Sequence, residues 1–212
     1  MKCACLIYHK NAEQIYPKRW IDECVRSISE QTYQDFEILE LNYGAGNERY
    51  TDGHFFSIEM PSHIPAMNFL IDHAFQNGFD VVFNNNLDDV NHSTRFEKQL
   101  TKIKDGYQLV SSNFYYFGEV EKEMNMVSFG DIGANLRKNH NVVCHPSVAM
   151  HKSFWDADLH YYDLLGREDL NLWQRAYGKG KRFYIIDEYL LFYRRHENQT
   201  TQNYGINGAK EG

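Results

Sequence analysis

The chain has 212 residues, 42% of them hydrophobic and 24% charged, a balance that excludes whole-chain disorder and fits one domain with a self-supporting core. Its longest apolar run is the six residues Cys3–Tyr8, far short of the ~20 that span a membrane, and Lys10, Asn11 and Glu13 follow too soon for a secretory leader. Acidic residues outnumber basic ones 29 to 22, a net charge of −7, and the densest cationic group is only Lys179, Lys181 and Arg182, so neither nucleic acid nor an anionic membrane is an expected partner.

In chain order, Cys3–Tyr8 reads as a short buried strand. Pro17–Gln31 reads as a helix, because Ile21, Cys24, Val25 and Ile28 recur at i, i+3, i+4 and i+7 and Pro17 suits a first turn. Phe36–Leu41 is a second strand, ended by the turn residues from Asn42 to Gly46, and Phe55–Ile58 a short third one. Ile64, Met67, Leu70, Ile71, Ala74 and Phe75 mark a helix stopped by Asn77-Gly78. Phe79–Phe83 is a β-rich buried strand that runs into Asn84-Asn85-Asn86-Leu87-Asp88-Asp89, and a further helix starts near Ser93. This alternation of strands and helices predicts a mostly parallel sheet covered by helices.

The second half is less regular. Gln108–Phe117 is an aromatic-rich strand, and residues 118–141 read as loop with one short helix. Val142–Met150, interrupted by Pro146, reads as an edge or bent strand. Glu168–Tyr177 is a helix with Leu170, Trp173 and Ala176 inward. Phe183–Ile186 and Leu190–Arg194 read as two short strands. From Gln202 the composition turns to Asn, Gly and Lys, as in a linker that leads into further domains. Cys3 and Cys5 fall on one face of the first strand and read as small core residues, since no further Cys or His follows at zinc-binding spacing. The four cysteines thus read as free thiols of a cytoplasmic protein.

Ligands of open α/β sheets collect beyond the C-terminal ends of the strands. Three such ends are Tyr8-His9-Lys10-Asn11, Asn42-Tyr43-Gly44 and Asn86-Leu87-Asp88-Asp89. The carboxylates of the last suit Mg²⁺ or Mn²⁺, although Asp-Asp before a helix also reads as a turn and cap.

Six pieces of the sequence occur in an order that carries a resemblance. Trp20–Ile28 with Gln31–Ile38 looks like L-x-x-x-x-x-S-I-x-x-Q-T-Y-x-x-x-E-I. Ala66-Met67-Asn68 is similar to an A-R-N helix, Asn86–Asp89 falls at a D-x-D-D, and His145-Pro146-Ser147 matches H-P-S. Glu168–Arg175 matches E-D-x-x-L-W-x-R, and Tyr193–Gln199 matches Y-R-x-H-x-N-Q. Together, over residues 3 to about 201, they resemble the family-2 glycosyltransferases with the GT-A fold. The resemblance implies an α/β, Rossmann-like GT-A domain over residues 1–201. Its central, mostly parallel mixed sheet would be flanked by helices and joined by a smaller acceptor-side sheet, with a tail or linker at 202–212. The linker and composition also resemble the first domain of a longer chain from a large DNA virus, which would place the protein in the host cytoplasm.

The implied activity is metal-assisted transfer of a hexose from a nucleoside-diphosphate sugar, a UDP-sugar foremost, to a hydroxyl of a glycan or protein-linked sugar, with inversion by direct displacement. By the resemblance, Asp88 is the carboxylate that joins Mn²⁺ or Mg²⁺ to the donor diphosphate. Asn86 stands where a first Asp is usual, keeping a ligating oxygen without the charge, and His196 aligns with a histidine that reaches the metal or diphosphate. Asn42 replaces an Asp that receives the uracil N–H, and Tyr43 replaces a second Asp. Tyr8, His9, Asn68 and Leu87 complete the donor-binding set, and Asp169 aligns with the general base. A sugar-nucleotide pyrophosphorylase would need a Gly-rich loop after the first strand, whereas Tyr8–Glu13 has no glycine. A non-catalytic sugar-nucleotide or glycan-binding module of the same fold is the second expectation, favoured by the changes at Asn42, Tyr43 and Asn86 and opposed by Glu168-Asp169.

Overall fold

The computed structural model describes residues 1–197 apart from Ala45, Ala157 and Leu165. The expected tail at 202–212, and Asn198 and Gln199 of the last motif, lie outside the described residues.

One nine-stranded sheet organises the chain. Strands β1 (Cys3–His9), β2 (Phe36–Asn42), β3 (His54–Ser57) and β4 (Val81–Asn85) form a parallel half in the order β3-β2-β1-β4. Beyond β4 lie β8 (Ala149–His151), β6 (Leu109–Gly118), β9 (Phe183–Arg195) and β5 (Val90–Asn91), with β7 (Lys122–Met124) on β6. In this second half only β6 and β9 run parallel. The sheet is mixed, as expected, and the smaller sheet anticipated from the resemblance is the continuation of the same one.

Alternation along β1 sends Ala4 and Leu6 to one face and Cys3, Cys5 and Ile7 to the other. The first face packs with Leu70, Ile71 and Ala74 of α2 (His63–Gln76) and with Leu172, Trp173 and Ala176 of α5 (Glu168–Gly178). The second packs with Ile21, Cys24 and Ile28 of α1 (Lys18–Ser29) and Phe96, Leu100 and Ile103 of α3 (Arg95–Lys104). All four cysteines are free and buried, and among the described residues no helix is long and apolar enough to cross a membrane.

Several expectations are corrected. Pro17 caps α1 rather than opening its first turn. Asn84 and Asn85 belong to β4, which starts only at Val81. The stretch Val142–Met150 is not an edge strand. Pro146 sits in a 3-10 turn, His145–Ser147, and the strand that follows runs inside the sheet, antiparallel to both β4 and β6; a proline before the ladder costs it no donor. The two expected strands near the C-terminus are one, β9, whose register shifts opposite Ser112–Phe114. That bulge absorbs Asp187 and Glu188, the polar residues that read as a break. Leu170 is only half-buried; Leu172 joins Trp173 and Ala176 in the core. The 118–141 segment holds β7, a 3-10 turn at Val127–Phe129 and the short helix α4 (Ile132–Arg137).

Candidate active site

Register gathers the three strand ends. His9 pairs with Asn42 at the last rung of β1 and β2, and Ile7 pairs with Asn85 of β4. Tyr8, His9, Asn42 and Asn86 therefore share the C-terminal edge of the parallel half.

On that edge Asp88 Oδ2 lies 3.0 Å from His196 Nε2, both residues buried. His196 is held edge-on by Tyr16 and beside Trp20, with ring centroids 5.5 and 5.1 Å away. Arg194 fastens the loop from behind. Its Nε donates to the Asp88 carbonyl (2.9 Å), its backbone N–H donates to Asp89 Oδ1 (2.9 Å), and its Nη2 meets Glu23 Oε2 at 2.5 Å. Asp89 is buried, and its Oδ2 has no partner among the described residues. Burial first, and the neighbouring Asp88 second, push its carboxyl well above the usual range. Beneath the loop Arg95 is completely buried. Its partners are neutral: the Asn84 and Val148 carbonyls and the side chains of Asn85, Asn91 and Gln99.

The remaining expected donor residues separate into those that face the edge and those used inside. The Tyr8 hydroxyl donates to Asn86 Oδ1 at 3.4 Å. Burial raises its pKa above the ordinary tyrosine value, and the charges of Asp88 and Glu168 both add to that rise. Leu87 is in the core, so only its backbone is available to a ligand. His9 turns to Glu40, Nε2 to Oε1 3.2 Å, within a buried knot in which Glu40 also accepts from the backbone N–H groups of Tyr50 and Thr51 and from the Thr51 hydroxyl. Asn42 is fully buried with its amide satisfied. Oδ1 accepts the N–H groups of Gly44 and Asn11, and Nδ2 donates to the Gly46 carbonyl and to Glu48. Asn42 thus shapes the turn at the strand end, and a base N–H would have to compete with two bonds already made. Asn68 forms a two-bond clamp on the Tyr161 backbone, 2.9 and 3.0 Å.

Asp169 opens α5 and is half-buried. Oδ2 accepts from Asn141 Nδ2 at 2.7 Å and Oδ1 from the Leu170 N–H at 2.7 Å. Burial pushes its carboxyl up to about 6, against the lowering effect of those two hydrogen bonds, while the charge of Glu168 adds to the rise. Its neighbour Glu168 faces His63 instead, 3.0 Å away. Burial is the largest single influence and opposes the Glu168 charge, yet the His63 bond and charge together with backbone hydrogen bonds outweigh it and hold the carboxyl below its ordinary value. Beside them His145 Nε2 meets the Tyr161 hydroxyl at 3.0 Å. Burial lowers the His145 pKa to about 4, so the ring is neutral at pH 7. The charges of Asp169 and Glu168, with Tyr8, all bear on Tyr161. Tyr8, Asn84, His145 and Tyr161 line one cavity.

Sequence reasoning assigned no part to Arg194, Glu40, Asn141 or Tyr161. Arg194 lies inside a motif that was read, so its two bonds to the Asp88-Asp89 loop had a visible signal; the other three are brought in by tertiary packing alone. Among the described residues no three His, Cys, Asp or Glu side chains cluster as a self-sufficient metal site. The residues still fit a shared metal. A carboxylate oxygen and an imidazole nitrogen make a two-donor pair, which a metal would share with its other ligands. An oxygen–nitrogen pair suits Mn²⁺ better than the oxygen-demanding Mg²⁺, and leaves positions for phosphate oxygens.

No family model and no curated protein matches the chain. Solved structures do. The first 349 residues of S. aureus TarS in complex with UDP superpose with a TM-score of 0.69 at 12% identity, over 92% of this chain and 61% of that one. S. aureus TarS in a longer form gives 0.70 at 14% identity, over 97% and 39%. The mannosyltransferase PcManGT from Pyrobaculum calidifontis, in complex with GDP-Man and Mn²⁺, gives 0.61 at 13% identity, over 90% and 56%. The chain thus spans less than two thirds of the length of these matches. At such identities the likeness speaks for the fold, and the curled mixed sheet with helices on both faces is a GT-A fold.

Proposed function

We propose that the chain is a glycosyltransferase that moves a hexose from a UDP-sugar to a hydroxyl of a glycan or protein-linked sugar, inverting the anomeric centre. The observation that carries this reading is the carboxylate–imidazole pair Asp88–His196 at the C-terminal edge of the sheet, together with a carboxylate of raised proton affinity, Asp169, in the first turn of α5. The solved structures of similar fold include complexes with UDP and with GDP-Man and Mn²⁺, which supports a sugar-nucleotide donor.

Asp88 and His196 would hold the divalent ion, Mn²⁺ in preference to Mg²⁺, with Asn86 and Tyr8 beside it; the ion would offset negative charge on a departing diphosphate. Asn42 and His9, both locked from within, would shape the wall of the base pocket, and the Asn68 clamp would fix Tyr161 beside His145. An ordinary Asp, with a pKa of about 3.9, is a weak base. Asp169, raised to about 6, remains mostly ionised at pH 7 and accepts a proton more readily. Asn141 and the Leu170 N–H aim its two oxygens. As the acceptor oxygen bonds to the anomeric carbon, its proton passes to Asp169, and the carbon–oxygen bond to the diphosphate breaks with the electron pair leaving on the diphosphate. Attack opposite the leaving group inverts the centre.

The test is to incubate the protein with UDP-sugars and Mn²⁺ and measure UDP release. Release that depends on Asp169 supports the reading. Binding of UDP-sugar with no release across a panel of glycan acceptors supports the second reading, a non-catalytic binding module. The internally satisfied Asn42 amide is the observation that favours that alternative.

A further inference from the structure

Strands β6 and β9 pair Tyr115 with Phe192 and Phe117 with Arg194. Alternation places these four side chains on one face of the sheet, while Phe114, Tyr116, Leu191 and Tyr193 take the other, where Met126, Val142 and Cys144 cover them. Among the described residues no such apolar cluster covers the first face. Above it α1 contributes polar residues, and between them lies an open cleft of about 490 Å³. That volume falls within the ~300–1,000 Å³ of small-molecule sites.

The floor is aromatic. Tyr115 and Phe192 meet edge to face with ring centroids 6.5 Å apart, and all three rings are half-buried, each keeping surface open to the cleft. The rim is polar and uncommitted. Among the described residues the side chains of Arg26, Glu30 and Ser93 have no hydrogen-bond or ion-pair partner, whereas Glu23 is bound to Arg194 at 2.5 Å. The rim thus carries no net charge: Glu23 and Arg194 form an ion pair, and the unpaired Arg26 and Glu30 are of opposite sign.

We propose that this cleft binds a neutral pyranose unit of a glycan, at a site separate from the Asp88–His196 pair. A pyranose ring has an apolar C–H face that rests on the negative face of an aromatic ring. Its hydroxyls both donate and accept, which answers a free guanidinium, a free carboxylate and a free hydroxyl at once. A phosphate or nucleotide gains nothing from a rim of zero net charge that carries two carboxylates. A wholly apolar segment would bury Arg26 and Glu30 without partners. The Asp88–His196 pair is not part of the cleft's lining. Arg194, whose guanidinium lies 4.2 Å over the Phe117 ring, is the wall between them, since the same residue holds the Asp88 carbonyl. The proposal does not require transfer, because a binding module would use the same surface.

The test is a glycan array of neutral oligosaccharides probed with the whole chain in the absence of nucleotide, followed by calorimetry on the tightest binder. Tyr115→Ala and Arg26→Ala should each weaken that binding at least tenfold and leave Mn²⁺-dependent UDP binding unchanged. Arg26 is exposed, so its truncation keeps the fold even where Tyr115→Ala does not. Absence of any neutral glycan binding overturns the proposal. So does glycan binding that survives both substitutions, which would place the sugar elsewhere, or concentration-dependent dimerisation abolished by Phe192→Ala, which would make the cleft a contact between copies. Failure of UDP release in the separate donor assay bears on the transferase reading and leaves this outcome untouched.

Discussion

Asp88 and His196, 108 residues apart in the chain, meet at 3.0 Å at the C-terminal edge of the sheet. The pair exists because Arg194, two residues before His196, is tied to both Asp88 and Asp89, so the end of β9 and the loop after β4 are held as one unit. The first prediction follows from this pair. Asp88→Ala should abolish the Mn²⁺-dependent part of UDP binding in calorimetry, and His196→Ala should weaken it at least tenfold, about 1.4 kcal/mol. Unchanged affinity in both variants would remove the metal assignment and leave Asp88 as a loop cap.

Asp169 allows two readouts of one property. Asp169→Asn should lower transfer by roughly 10²-fold or more, the usual worth of a positioned base, with UDP-sugar binding nearly unchanged. In the parent protein the rate should rise with pH through about 6, as the carboxyl ionises. Stability runs the opposite way. A carboxyl whose folded pKa exceeds its unfolded value binds more protons in the folded state, so this group's contribution falls as pH rises between about 4 and 6. Thermal melts of Asp169→Asn should therefore match the parent near pH 4 and lie above it at pH 7.5. A lower melting temperature at pH 7.5 would show that ionised Asp169 is a structural group.

Glu40 shows the reverse sign. Burial raises its pKa, but hydrogen bonds from His9, Thr51 and Tyr50 outweigh that and hold it below the ordinary value. Its contribution is present above pH ~4.5 and is lost as pH falls through the lower folded value. Glu40→Gln should destabilise the protein at pH 7 and flatten the acid limb of its stability profile. An acid limb identical to the parent's would exclude Glu40 as its source.

Asn42→Ala should cost about 2 kcal/mol, since it strips the acceptor from the Gly44 and Asn11 N–H groups and leaves a buried turn short of partners. For a chain of this size that is a fall of roughly 4–8 °C in melting temperature. The parent should prefer UDP to ADP and GDP by at least tenfold, and the variant should lose that preference along with the shape of the turn. Equal binding of the three nucleotides by the parent would remove the argument for a uridine pocket at this strand end.

Much of the parallel half was legible in the sequence. Its strands are short apolar runs closed by Asn and Gly, its helices repeat at 3.6, and both signals are local, so β1, α1, β2, α2 and α3 lie within a few residues of expectation. The resemblance likewise pointed to Asp88 and His196 as partners, and the two do meet. The antiparallel half carried no such signal. A three-residue strand such as Ala149–His151 has too few residues for a period, and only its partners on both sides make it a strand. Partner choice was equally hidden: His9 turning to Glu40, Asn42 spending its amide on its own turn, Asn68 clamping Tyr161 and Asn141 reaching Asp169 are contacts between residues 28 to 93 positions apart, or closed by loop geometry. Residue type and spacing decide which chemistry is on hand, whereas three-dimensional packing decides which polar groups satisfy one another and which stay open to a ligand, since each buried donor takes whatever acceptor the fold brings within about 3 Å.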